Sequence, residues 1–191
     1  MGKVCTGATM SLDGFIAGPG ESGFDLLFQW YGPGLPEEVT GASQSDAEHL
    51  RRVKERTGAL VVGRHLYDLT NAWGGRHPMD LTTVVLTHRP PEDRPVADEN
   101  FVFVTGGIEE AIATAQKIAG SREVGLNGGQ IARQCLEADL LDEFHVDLVP
   151  VLLGGGTPFI GPFEGAPLQL EGPVSTVSGK GVTHLRYLVR R

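Results

Sequence analysis

Apolar and polar positions along this chain switch repeatedly between two periods. Lys3 to Met10, Ala59 to Gly63, Leu81 to Thr87, Phe101 to Thr105, Glu123 to Leu126 and Glu143 to Val149 are short runs rich in apolar and β-branched residues, the mark of buried or half-buried strands. Ile108, Ala111, Ile112, Ala115, Ile118 and Ala119 recur at helical spacing and predict an amphipathic helix over Ile108 to Ala119. Gln130 to Leu136 reads as another helix, and Arg64 to Asp68 as a short one. Ser45 predicts the N-cap of a further helix, with Asp46 and Glu48 in its first turn, Arg51, Arg52, Lys54 and Arg56 towards its end, and Gly58 as its stop. Strands alternating with helices predict a largely parallel sheet covered on both faces. Leu168 to Val177 and Val182 to Val189, joined by Ser178-Gly179-Lys180-Gly181, predict instead a closing hairpin. The expected architecture is one three-layer α/β/α domain over residues 1–191, its mixed, mostly parallel sheet ending in an antiparallel C-terminal hairpin.

Some stretches follow neither period. Ser11 to Gly20 is a loop with apolar anchors at Leu12, Phe15 and Ile16, suited to covering a pocket. Glu21 to Gln44 carries Phe24, Phe28, Trp30 and Tyr31 among Gly32-Pro33-Gly34 and Pro36; it is too irregular for a helix and too aromatic for a linker, and reads as a lid or an interface flap. Asp13 beside Gly14 reads more readily as a turn former than as an acid, and Gly154-Gly155-Gly156 more readily as a turn where strands cross closely than as a contact to phosphate. His145 and Asp147 alternate with Phe144, Val146 and Leu148 as half-exposed strand residues do, so they are assigned no chemistry and no metal site is expected.

The stretch with the most chemical content is Val124 to Ile131. Its apolar run breaks into Gly128 and Gly129 and then enters the helix at Gln130. A strand, a glycine turn and a helix start leave several backbone N–H groups unpaired at the positive end of the helix dipole, which suits an anionic ligand such as a diphosphate. Taken alone, the two glycines favour a plain turn, since neither G-x-G-x-x-G nor a Walker-type lysine is present. A formal net charge of -8 argues against a nucleic-acid or anionic-membrane surface, leaving only a local basic pocket for phosphate. Cys5 and Cys135 form no C-x-x-C or His/Cys cluster and read as reduced, structural thiols. No run reaches membrane-spanning length, and the start lacks a signal-peptide layout, so a cytoplasmic location is expected. The start does match the myristoylation pattern, yet the same residues read as a strand entering the core.

Four separated stretches together resemble one family. They are Ala8 to Ala17, Val62-Gly63-Arg64-His65-Leu66-Tyr67-Asp68, Leu126-Asn127-Gly128-Gly129, and Pro150 to Pro158. With the terminal hairpin, their order and spacing resemble the dihydrofolate reductase-like fold, and within it the reductase domain of the bifunctional riboflavin-biosynthesis deaminase-reductase and its stand-alone relatives. The zinc-deaminase signature of the other half is absent. The resemblance implies NADPH bound along the carboxyl edge of the sheet. By match to the family motifs, Thr9, Ile16 and Ala17 would border the nicotinamide, Gly63 and Arg64 the ribose and phosphates, and Asn127, Gly128, Gly129, Gln130 and Ile131 the diphosphate. Arg64 with Thr87, His88 and Arg89 would surround a ribose 2′-phosphate, although Arg64 also suits an ordinary salt bridge.

The implied activity is hydride transfer from NADPH to a small heterocyclic or carbonyl-like acceptor. Dihydrofolate reductase and a riboflavin-pathway 5-amino-6-(5-phosphoribosylamino)uracil reductase are the named alternatives, and a non-catalytic NADPH-binding module is the rival from another class. Asp46, near the place of the family's substrate carboxylate, is the expected catalytic residue, with Glu48 a nearby competitor and a plain helix-start role equally open. The apolar terminal hairpin implies a homodimer, as in the riboflavin-pathway relatives.

Overall fold

The computed structural model describes residues 1–31, 43–92 and 100–190. In chain order the elements are β1 (Val4–Ser11), β2 (Phe15–Ala17), α1 (Phe24–Leu27), α2 (Gln44–Arg56), β3 (Thr57–Gly63), α3 (Arg64–Leu69), β4 (Thr83–Leu86), β5 (Phe101–Val104), α4 (Ile108–Ala119), β6 (Glu123–Leu126), α5 (Gln130–Glu137), β7 (Glu143–Val149), β8 (Thr157–Pro158), β9 (Leu170–Ser178) and β10 (Thr183–Val189), with 3₁₀ turns at Gln29–Tyr31 and Asn71–Gly75. The apolar runs assemble into an eight-stranded sheet ordered β5-β4-β3-β6-β1-β7-β10-β9. From β5 to β7 neighbouring strands are parallel, while β10 is antiparallel to both β7 and β9. This is the mixed, mostly parallel sheet with a C-terminal hairpin that the periodicity predicts.

The two faces of the sheet are held by different forces. On one, Val61, Val84, Val124 and Val146 meet Ala111, Ile112 and Ala115 of α4 and Cys135 of α5 in a dry apolar core. On the other, Glu143, His145 and Asp147 of β7 share a face, because alternate strand residues point the same way. Cross-strand register sets Gly7 and Thr9 of β1 and Arg186 and His184 of β10 beside them. Over this face lies α2, whose one buried residue is Asp46. Its C-terminal Arg56 reaches down to His145 Nδ1 at 2.6 Å and to the Glu123 carboxylate at 3.0 Å, so polar contacts fasten the helix alongside the packing of Leu50 on Leu27, Trp30, Val149 and Val182.

Three local readings need correction. The cap of α2 is Ser43, one step earlier than Ser45, because Ser43 and Asp46 form a reciprocal capping box in which each side chain accepts from the other's backbone N–H. Gly58 does not stop the helix; it lies inside β3, where a Cβ would sit 2.7 Å from the backbone of Ala119 on α4. The β2–β8 ribbon escapes the sequence, since strands of three and two residues are too short to show a period. Of the aromatic segment, Phe24 and Trp30 fall in α1 and the turn after it, whereas residues 32–42 lie outside the described residues. Cys5 and Cys135 are buried and in no disulfide, and no helix among the described residues is long and apolar enough to cross a membrane.

At the far edge of the sheet β9 is exposed along nearly its whole length, carries Pro173, and shows a register shift against β10 between Arg186 and Leu188. The close approach at Gly58 yields a stability test. Adding a methyl there forces β3 and α4 apart, so Gly58→Ala is expected to lose about 1–3 kcal/mol in urea unfolding.

Candidate functional site

The main cleft, of about 800 Å³, opens at the carboxyl ends of β3, β4 and β6. One wall is the turn after β6. Gly129 has φ +75° and caps α5 without any side-chain bond, leaving the first N–H groups of that helix directed at the cleft. Its own N–H donates to the Phe159 carbonyl at 2.8 Å. A Cβ at Gly128 would meet Phe159 at 2.9 Å and Ile16 at 3.0 Å, so the turn admits no side chain there. A second wall is the β2–β8 ribbon, which presents Ile16 and Thr157. The third comes from Gly63 and Arg64 at the start of α3 and from Thr87, His88 and Arg89 after β4.

Eleven of the thirteen expected cofactor contacts therefore line one cleft: Ile16, Gly63, Arg64, Thr87, His88, Arg89, Asn127, Gly128, Gly129, Gln130 and Ile131. Thr9 and Ala17 do not line it. Thr9 is buried and its hydroxyl accepts from the Trp30 indole N–H at 3.2 Å, while Ala17 is buried in β2 with its carbonyl turned to Gly156. Arg64 is already engaged, donating from Nε to both Asp68 oxygens and from Nη1 to the Arg89 carbonyl, all at 2.8 Å. The salt bridge that its spacing allows is thus real, and it also ties α3 to the Thr87–Arg89 turn. Glu21 and His65 line the cleft as well and meet at 2.9 Å. His65 was legible as the neighbour of Arg64; nothing in the sequence singles out Glu21.

Asp46 lies elsewhere. Its side chain is fully buried, and both oxygens are taken by protein donors: Oδ2 accepts from the backbone N–H of Ser43 and Lys180 at 3.1 and 3.0 Å, and Oδ1 faces His184 Nε2 at 3.0 Å. The expected direct contact with substrate is therefore not what this geometry offers, because capping and the hairpin turn occupy the carboxylate. His184 in turn bonds Asp147 Oδ1 through Nδ1 at 2.7 Å, and His49 of α2 lies 3.1 Å from the same oxygen. Asp147, given no chemistry from its strand pattern, belongs to a cluster of two carboxylates and two histidines in which Asp46 and His184 are buried and His49 and Asp147 half-buried. Asp46 and His49 stand three apart on α2, but Asp147 and His184 are remote from them and from each other, so no single motif joins the four.

Electrostatics assigns the protons. Burial alone would lower the His184 pKa, but hydrogen bonds and charge from Asp147 and then Asp46 outweigh it and hold the ring above the usual histidine value. Burial would raise both carboxyls, yet His184 and His49 draw Asp147 below its ordinary value, and Ser43, the Lys180 N–H and His184 do the same for Asp46. Below its raised pKa the His184 ring is an imidazolium and donates from both nitrogens, one to each carboxylate. Trp30 packs edge-on against it at 5.1 Å, and burial raises the neighbouring Tyr31 phenol. His49, Asp147 and His184 could each offer a metal ligand, and their ligand atoms lie within 4.8 Å of one another. The two rings, however, stack at 3.8 Å and 15°, which sets their in-plane lone pairs side by side and not towards a common ion. Further along the same face, burial and Arg56 push His145 down to about 4; as a neutral ring it donates to Glu143 and accepts from Arg56.

A model of the RibD C-terminal domain matches residues 3–183. Over 100 residues the chain is 27% identical to the uncharacterised protein YwjB of Bacillus subtilis (strain 168), a match that spans 52% of this chain and 56% of that one. Among solved structures, a protein from Shewanella sp. PV-4 assigned to riboflavin biosynthesis superposes with a TM-score of 0.75 at 24% identity, over 99% of both chains. Dihydrofolate reductase from Enterococcus faecalis, complexed with NADP(H) and RAB-propyl, superposes with a TM-score of 0.61 at 20% identity, over 99% of this chain and 97% of that one. At these identities the likeness shows a shared fold, the dihydrofolate reductase-like one.

The cluster makes stability depend on pH in a defined sense. His184, raised above its unfolded value of about 6.5, stabilises fully below that value and loses its contribution as pH rises through the folded pKa. Asp46 and Asp147, both depressed, contribute above about 3.9 and lose that contribution as pH falls through their folded values. His184→Gln leaves the buried Asp46 and the half-buried Asp147 without their cation and is expected to cost about 3 kcal/mol near about pH 6 in urea unfolding. The gap to wild type should narrow as pH rises through the histidine range; a gap constant to about pH 9 would exclude a charged His184.

Proposed function

The chain belongs to the RibD C-terminal domain family, and from that premise we propose an NADPH-dependent reductase that passes a hydride to a small heterocyclic or carbonyl-like acceptor. The observation that carries this reading is the convergence of three distant motifs, after β3, β4 and β6, on one cleft of about 800 Å³, a volume in the range of small-molecule and cofactor sites. The residues fit the cofactor. Gly128 packs directly on Ile16 and Phe159 and Gly129 turns the chain at positive φ, so the turn meets the cleft without a side chain of its own. The N–H groups opening α5 would take the diphosphate oxygens. Arg64 and Arg89 would bring positive charge, and His88 a ring nitrogen, to a 2′-phosphate in a chain whose overall charge is -8. Ile16 would present an apolar surface to the nicotinamide, the group that supplies the hydride.

With Asp46 committed to its cap and to His184, the proton for the acceptor is assigned to water entering the cleft. The Arg64–Asp68 and Arg64–Arg89 contacts hold the guanidinium in place before any phosphate arrives, which lowers the entropy cost of binding. A homodimer through the terminal hairpin is part of the reading, supported by the exposure of β9 with Val174 and Val177 at 39% and 37%.

Fluorescence titration tests the cofactor. Wild type should bind NADPH more tightly than NADH, and Arg64→Ala should lose about 1.5–3 kcal/mol towards NADPH with little change towards NADH. Equal losses would leave Arg64 as a brace of the fold, and no binding of either nucleotide by wild type would end the proposal. Light scattering at micromolar concentration should give twice the chain mass; a monomer would remove the hairpin from the assembly reading.

A further inference from the structure

Two motifs remain that the cofactor reading does not use: the Ser11-Leu12-Asp13-Gly14 loop after β1 and the triple glycine before β8. The structure joins them. The Asp13 carboxylate accepts from Ser11 Oγ at 2.6 Å, from the Gly154 N–H at 2.7 Å and from the Leu153 N–H at 3.1 Å. Ser11 Oγ in turn accepts from the Phe15 N–H at 3.0 Å. Around this core the backbones are stitched together by Leu12 N–H to the Val151 carbonyl at 2.8 Å and Phe159 N–H to the Gly14 carbonyl at 2.9 Å. Two remote segments are thus held along their length, with Asp13 the side chain at the centre.

The need for such an anchor follows from the glycines. Gly154, Gly155 and Gly156 all have positive φ, at +74°, +154° and +114°. Gly156 passes so close to β2 that a Cβ would lie 2.1 Å from the Ala17 carbonyl oxygen. Three successive glycines have little preference of their own for any conformation, so their path must be imposed from the ends. Ribbon pairing, with Ala17 opposite Thr157, fixes the C-terminal end; Asp13 fixes the N-terminal one at Leu153 and Gly154. The Ser11 hydroxyl first, with the Gly154 and Leu153 N–H groups, holds the Asp13 carboxyl below its ordinary pKa, which keeps it an acceptor for all three donors.

What this anchor positions is a wall of the cleft. Ile16 and Thr157 line it from the two strands of the ribbon, and Ile16 with Phe159 abuts Gly128 of the diphosphate turn. We propose that Asp13 is a positioning residue: by clamping the glycine loop to the loop after β1, it sets the ribbon against the cleft and so fixes the nicotinamide half of the bound cofactor. This rests on the reading that the cleft holds NADPH. Asp13 itself does not line the cleft and acts through Ile16 and Thr157.

The test compares two probes, NADPH and 2′,5′-ADP, which keeps the adenine and 2′-phosphate but lacks the nicotinamide. Asp13→Asn preserves the shape of the side chain while setting an amide against N–H donors. It is expected to weaken NADPH about tenfold, about 1.4 kcal/mol, and to leave 2′,5′-ADP unchanged within about twofold. Ser11→Ala, which removes one donor to Asp13 and the acceptor of the Phe15 N–H, should show the same selectivity to a smaller degree, and it serves if the first variant does not fold. Equal losses for both probes, or unchanged NADPH affinity, would overturn the positioning role. Wild type that binds neither probe would instead overturn the cofactor reading on which it stands.

Discussion

The attachment of α2 to the sheet depends on one charge held between two others. Asp46 is the helix's one buried residue, and its half-buried Leu50 packs on the small apolar cluster of Leu27, Trp30, Val149 and Val182, so the hydrophobic effect that fastens α4 and α5 on the opposite face acts here through a smaller area. His184 lies between Asp46 on the helix and Asp147 on β7, and through them three elements distant in sequence are drawn together. Burying these charges is costly unless every nitrogen and oxygen finds a partner. The capping serine, the Lys180 N–H and His49 complete the set. Directional bonds of this kind fix the register of a helix on a sheet more sharply than apolar contact could, because a shift by one residue leaves charges unpaired.

The molecule separates this buried polar cluster from the cleft where a ligand would sit. In the cleft, Arg64 pairs with Asp68 near solvent, and Arg89 and the N–H groups opening α5 line the same space. Beneath α2, opposite charges cancel internally. The overall negative charge of the chain therefore says little about the field at either place, which is set by side chains within a few ångströms in a low-dielectric surround.

Much of this was legible in sequence where one period ran long enough. The limits of α4 and β7 agree with their apolar spacing, and the order of strands and helices implied the parallel sheet. The cleft was legible because its motifs sit at strand ends, where a glycine or a charged residue after an apolar run changes the pattern visibly. The His184 cluster was not. Its acid on α2 looked like a helix-start residue, which it also is, and Asp147 looked like the polar half of an alternating strand. Pairing between β7 and β10 brings Asp147 opposite His184, and cross-strand register is not written in local sequence. The β2–β8 ribbon was missed for a different reason: it is held by Asp13 and by backbone bonds, neither of which has a period.

The edge at β9 carries a consequence for the chain's behaviour in a crowded solution. An exposed strand is a template on which another chain can add, and in an open edge such addition has no natural end. Pro173 has no N–H to offer to a newcomer, and the irregular pairing between Arg186 and Leu188 twists the ladder just where a long flat template would be most dangerous. Growth into fibrils is thereby discouraged, while contact through side chains across the face of the hairpin stays open. The same few residues that leave the last strand uncovered also limit what can be built upon it.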